Sequence, residues 1–163
     1  NVMEALAKGA TNGMKLAANV AAMLIAFVAT IAMLNAILGL FGFSLEQILG
    51  WLFQPLAWAM GVPWNEANLV GSLMGKKLVL TELIAYGDLS NLLSENVLSK
   101  KSAIISSYAL CGFANFASIG IQLGGIGGIA PERRKDISKL GIKTMFGGAL
   151  ASWLTATIAG LLI

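Results

Sequence analysis

Glu82 is the first residue to which chemistry can be assigned. It stands between two apolar runs, residues 67–80 and 83–93, both too short to cross a bilayer. At about 1.5 Å per residue each suits roughly half a membrane. A carboxylate between two half-helices is costly to desolvate, and such residues usually face a polar cavity and serve a pathway or a ligand. Two blander readings stand beside this one: a solvated loop residue, or a structural partner for Lys76 or Lys77. Thr81, just before it, has the side chain of an N-cap for a helix starting near Leu83. That role is compatible with ligand contact.

Asn115 and Ser118 form a second group. They lie in an uncharged stretch, residues 102–131, whose middle carries Gly, Asn and Ser where a simple anchor would carry Leu. The pattern predicts a discontinuous helix opened near residues 115–118. Opened backbone with short polar side chains is how midplane substrate sites are built in transporters with broken helices. Interhelical hydrogen bonding explains the same residues equally well. Phe113 and Phe116 beside them fit core packing more readily than ligand stacking. Gly120, Gly124 and Gly128 recur every fourth residue and favour close helix contact.

Other chemistry is excluded or weak. The chain has no His and a single Cys, Cys111, so His-based acid–base work, internal disulfides and Cys-cluster metal sites are absent. Residues 125–130 match a dinucleotide-binding string but follow no strand, so the match is chance. Glu132 and Asp136 read as a solvated pair in a basic loop. With no nucleophile beside an evident base, an enzyme is the reading these residues support least.

The elements that must position these groups follow from composition. Of 163 residues, 57% are hydrophobic and 12% charged. A soluble domain of this size cannot hide that much apolar surface, so the fold class expected is an all-α membrane protein. The net charge of +3 is scattered and points to no nucleic-acid partner. Residues 1–44 hold a first transmembrane helix with an interfacial start; its uncharged core begins at Leu16 and runs through Met23, Leu24 and Phe27. Residues 45–64, with Glu46, Pro55, Pro63, Trp51, Trp58 and Trp64, read as a helix at the membrane interface, or else a kinked span. Residues 65–163 then supply a re-entrant hairpin (about 66–95), the broken helix (about 101–130) and a last span (about 136–163). The densest basic group, Arg133, Arg134, Lys135, Lys139 and Lys143, belongs in the cytoplasm by the positive-inside rule. The hairpin then opens outward. The chain opens with no signal-peptide pattern.

At these residues the sequence resembles the concentrative nucleoside transporter family. Gly75-Lys76-Lys77-Leu78-Val79-Leu80-Thr81-Glu82-Leu83-Ile84-Ala85 follows the family's hairpin signature G-x-K-x-x-x-N-E-F-V-A, with Thr81 in place of Asn and Leu83-Ile84 in place of Phe-Val. Gly112-Phe113-Ala114-Asn115-Phe116-Ala117-Ser118-Ile119-Gly120-Ile121 follows G-F-A-N-F-S-S-I-G-I with one change, Ala117. Two motifs in order, over essentially the whole chain, make the resemblance specific.

The resemblance implies the C-terminal half of a secondary transporter, importing nucleosides down a sodium or proton gradient. It implies a bacterial inner-membrane, multi-pass protein, a homotrimer with the first span at the trimer interface, and no organic cofactor. The coupling-ion ligands and most nucleobase contacts would lie in an N-terminal half, so this chain alone should not transport. It assigns ribose contacts to Glu82, Asn115 and Ser118, and places Phe113 beside the base. Thr81 makes the hairpin tip differ, because Asn offers two donors and an acceptor where Thr offers one hydroxyl. Two other classes remain open at this point: a channel subunit with an acidic re-entrant hairpin, and a structural membrane subunit in which the polar residues are packing glue.

Overall fold

The computed structural model describes the backbone of residues 1–163 and all side chains except those of residues 20, 23, 24, 27, 28, 46, 124, 128 and 129. The expected roles of Met23, Leu24, Phe27, Glu46, Gly124 and Gly128 therefore lie outside the described residues. The chain is all helical: α1 (Val2–Gly39), α2 (Leu45–Ala59), α3 (Trp64–Val79), α4 (Glu82–Ser94), α5 (Lys100–Leu110), α6 (Phe116–Ile129), a short 3-10 turn (Pro131–Arg133) and α7 (Arg134–Leu162).

Local chemistry accounts for the boundaries. The Asn1 side chain accepts from the amide of Glu4 at 2.8 Å and starts α1. The expected interfacial start and span are one continuous helix. At its far end Asn35 Oδ1 accepts from the Leu45 amide at 2.7 Å, tying the exit of α1 to the start of α2. Ser44 and Gln47 cap α2 reciprocally. Pro55 sits inside α2 without ending it. The helix stops instead at Gly61, whose φ of +103° lets the amides of Gly61 and Val62 turn back onto the carbonyls of Trp58 and Ala57. At 15 residues α2 is about 22 Å long, short of a bilayer core. Its Trp51 and Trp58, and Trp64 beyond it, are exposed. Asn96, with φ of +54°, closes α4 in the same way as Gly61 closes α2.

The core is built from α2, α3, α4, α5 and α7. Met60, Val62, Val70, Met74, Leu78, Leu89, Ile105, Leu110 and Trp153 are among its buried members. Phe53 of α2 packs on Trp153 of α7 with ring centroids 5.6 Å apart. Helices α2 and α3 approach to backbone contact through glycines. A Cβ on Gly71 would lie 2.7 Å from the Gly50 carbonyl oxygen, and one on Gly75 would strike Leu49. Small residues permit this closeness where lipid supplies no hydrophobic drive between helices. Helix α7 is the strut behind α5 and α6: Gly141 faces Ile119, Gly148 faces Ala114 and Gly160 faces Ile105. Among the described residues, Pro131–Leu162 is long and apolar enough to cross a membrane.

Two boundaries differ from expectation. The opening between α5 and α6 is at residues 111–115, and residues 116–118 already belong to α6. Asn115 causes this, because its side chain accepts from the Ser118 amide at 2.7 Å and so begins the helix directly after itself. The last helix begins at Arg134, inside the expected basic loop.

Candidate functional site

The turn between α3 and α4 and the gap between α5 and α6 meet. Asn115 Nδ2 donates to Glu82 Oε2 at 3.0 Å across 33 residues of sequence. Asn115 is fully buried and Ser118 is 2% exposed. They hold each other: Ser118 N–H donates to Asn115 Oδ1, and the Ser118 hydroxyl lies 2.6 Å from the Asn115 carbonyl. The Asn115 side chain thus uses its acceptor to cap α6 and its donor to hold Glu82.

Thr81 occupies the N-cap position of α4, as its residue type predicts, yet its hydroxyl makes no capping bond. The residue is buried at 6% exposure. The neighbouring lysines bond to other groups. Lys76 pairs with Asp88 across the α3–α4 turn, while Lys77 Nζ donates to the Ala109 carbonyl at 3.2 Å. Phe113 and Phe116 are not core residues within this chain; Phe113 is 52% exposed.

Phe113 and Ser118 open instead on a cavity of about 250 Å³ between the 111–115 segment, α6 and α7, with Gln122 and Thr144 also on its wall. Glu82 and Thr81 do not line it. Of the five residues singled out by sequence, then, Glu82, Asn115 and Ser118 form one bonded group. Thr81 adjoins Glu82 along the chain, and Phe113 stands on the cavity side.

Sequence reasoning missed the groups that hold the gap open. The last carbonyls of a helix lack intrahelical partners. At the end of α5 Lys77 of α3 donates to the Ala109 carbonyl, and Tyr86 of α4 donates at 2.7 Å to the Ser107 carbonyl, which also accepts from the Cys111 amide. Gly112 makes the turn with φ of +118°, and a Cβ there would lie 2.6 Å from Ser152 Oγ. Among the described residues the amides of Gly112, Phe113 and Ala114 donate to no protein group, leaving three donors at the gap. The Lys in the hairpin signature was visible in sequence; its target, a carbonyl 32 residues away, was not.

Comparison with known proteins follows the same lines. Residues 1–160 match the family model described as Na+ dependent nucleoside transporter C-terminus. The chain is 53% identical over 170 residues to the uncharacterized transporter YutK of Bacillus subtilis, covering all of this chain and 42% of YutK. It is 41% identical over 173 residues to the nucleoside permease NupC of Helicobacter pylori, covering all of this chain and 41% of NupC. Its fold superimposes on a variant of CNTnw in an intermediate state with a TM-score of 0.90 and 48% identity, over all of this chain and 42% of that one. The chain therefore spans about two fifths of the length of the relatives it matches.

Proposed function

The chain belongs to the Na+ dependent nucleoside transporter C-terminus family, and from that premise we propose that it supplies the sugar-binding part of an ion-gradient-driven nucleoside importer. One observation carries the reading: the Asn115–Glu82 hydrogen bond, which joins the α3–α4 turn to the start of α6. In this reading α3 and α4 are a re-entrant hairpin with Glu82 at its tip, and α5 and α6 are the halves of a discontinuous helix. Non-helical backbone at that depth must line a cavity or be buried in protein, and the free amides of residues 112–114 fit a cavity.

A carboxylate with Asn and Ser close by suits the vicinal hydroxyls of a ribose, which need an acceptor and neighbouring donors. Binding replaces the Asn115–Glu82 bond or shares it, so each polar atom keeps a partner with and without substrate. In a dry site the loss of one partner is expensive. Phe113, exposed within this chain, is free to meet the base or the rest of the transporter. The coupling-ion ligands, sodium by the family's description, are assigned to the part of the transporter outside this chain. A multi-pass inner-membrane location and a trimer with α1 at its interface complete the proposal. A channel or a purely structural subunit gains no specific support from the geometry.

Radiolabelled uridine uptake by vesicles carrying the full-length parent tests it, with and without an imposed sodium gradient. Gradient-dependent uptake that is abolished by Glu82→Gln, with expression unchanged, is the expected result. Unchanged uptake in the variant would sink the site. Absence of uptake for pyrimidine and purine nucleosides alike, under sodium and proton gradients, would sink the function.

A further inference from the structure

The first turns of α7 carry more positive charge than the chain itself pairs. Arg133 bonds Asp136 at 2.9 Å. The stem of Arg134 lies across α6, where a Cβ on Gly127 would come within 2.7 Å of its Cγ. Among the described residues that leaves Lys135, Lys139 and Lys143 with no protein partner, and all three are exposed. Glu132 and Asp136 are the carboxylates nearby, and Asp136 is held by Arg133. Lys135 also sits in the first turn, at the positive end of the helix dipole, where a cation is disfavoured.

Spacing gathers the charge on one face. Positions 139, 143, 146, 150 and 154 follow each other at three or four residues. Lys139 and Lys143 therefore head a stripe that continues as Phe146, Leu150 and Leu154, all exposed, while Met145, Ala149 and Trp153 carry the buried face. The uncharged part of α7, residues 144–162, rises about 28 Å, close to the ~30 Å of a hydrocarbon core. With α7 spanning the bilayer, the hydrocarbon boundary falls at Lys143. Lys139 is then about 6 Å higher and Lys135 about 12 Å higher, against a headgroup layer of about 5–8 Å. The two lower lysines bracket the depth of the lipid phosphates, and their stems have an apolar stripe to lie on. Orientation alone asks for basic residues near the membrane, not for a common face.

We propose that Lys139 and Lys143, with Lys135 above them, form a binding surface for the headgroup of an anionic phospholipid whose acyl chains lie along Phe146, Leu150 and Leu154. Ammonium groups at phosphate depth favour lipids with a net negative charge over zwitterionic ones. Charge complementarity selects this occupant, because a protein helix seated on the stripe would desolvate Lys143 unless it brought a carboxylate of its own. The inference takes α7 as a membrane span and does not rest on the nucleoside reading.

The test uses the full-length parent in a cysteine-free background, with a bimane fluorophore on Leu150→Cys. It is reconstituted into phosphatidylcholine vesicles that contain dibrominated phosphatidylglycerol or dibrominated phosphatidylcholine. Bromine quenches at short range, so quenching reads which lipid lies on the stripe. With the lysines intact, phosphatidylglycerol should be preferred by about threefold or more. Lys139→Gln with Lys143→Gln should bring the ratio to within about 1.5-fold of unity, and Lys139→Arg with Lys143→Arg should retain the preference. About 1 M salt, which screens charges beyond about 3 Å, should weaken it. A second probe on Ile158→Cys, about 22 Å further along α7 from Lys143, should give a ratio that the lysine substitutions leave unchanged. Equal quenching by the two lipids at Leu150→Cys would overturn the proposal, as would a preference that survives both glutamines. No quenching by either lipid would mean that protein covers the stripe, and would overturn it too. So would an equal loss at Ile158→Cys, which would make the effect general to the bilayer. Uptake is not read here, so the failure of this surface and the failure of the nucleoside reading are separate results.

Discussion

Asn115 shows how much one side chain is asked to do. Its oxygen starts α6 and its amide nitrogen holds Glu82. The two roles separate by substitution. Ser is also a good N-cap but is too short to reach across to the carboxylate. Asn115→Ser should therefore keep thermal stability within about 1 kcal/mol of wild type, while nucleoside affinity in the full-length parent falls by about tenfold. Thermal unfolding and isothermal titration on the same detergent-solubilised preparation check both halves. Equal affinity would mean that Glu82 needs no help from Asn115. Thr81 teaches a smaller lesson. Residue type located the cap position, yet the hydroxyl does not cap, because side-chain rotamer and the turn at Leu80 are decided by packing.

Among the elements, the α5–α6 gap and the α2–α3 contact depend on glycine for different reasons. Gly112 is needed for its left-handed backbone and for the space that Ser152 occupies. Gly112→Ala should cost about 1–3 kcal/mol through strain at positive φ. Adding Ser152→Gly removes the steric part and should recover only a fraction, as read by thermal unfolding; full recovery would show that φ carries no penalty there. Gly71 is needed because the Gly50 carbonyl and the Gln54 amide leave no room for a methyl group. Gly71→Ala should push α2 off α3 and destabilise by about 1–3 kcal/mol, with a matching drop in melting temperature. The α3–α4 pair and the α5–α6 pair are in turn cross-braced. Tyr86 and Lys77 donate to carbonyls near the end of α5, Glu82 accepts from Asn115, and the Ser99 hydroxyl at the start of α5 donates to Glu66 of α3 at 2.9 Å.

For the whole molecule, charge distribution sets orientation. The positive-inside rule predicts the exposed basic group around Arg133–Lys143 inside and the end of α4 outside. Single cysteines in a cysteine-free background, with Cys111 replaced by Ala, test this directly. Glu95→Cys should react with a membrane-impermeant maleimide in intact right-side-out vesicles, and Lys135→Cys only after permeabilisation. The reverse pattern would invert the topology and move the hairpin opening to the cytoplasmic face.

The membrane class, the helical runs on either side of Glu82 and the family motifs were legible in the sequence, as were the candidates Glu82, Asn115 and Ser118, which the structure joins by hydrogen bonds. Each follows from local information: hydropathy over a window, charge interrupting an apolar run, or residue type at a fixed spacing. The sequence also located the α3–α4 turn to within a residue or two. It misplaced the α5–α6 gap by about four residues, because a flexible Gly-Asn-Ser stretch permits several openings and the choice falls to the Asn115 cap and the fit of Gly112 against Ser152. Phe113 and Phe116 looked like core residues because apolar type alone cannot say which face is covered. The bonds that Lys77 and Tyr86 make were not legible, because their partners are carbonyls 32 and 21 residues away. A backbone acceptor carries no side-chain signature, so only the tertiary structure decides which distant lysine or tyrosine must satisfy it.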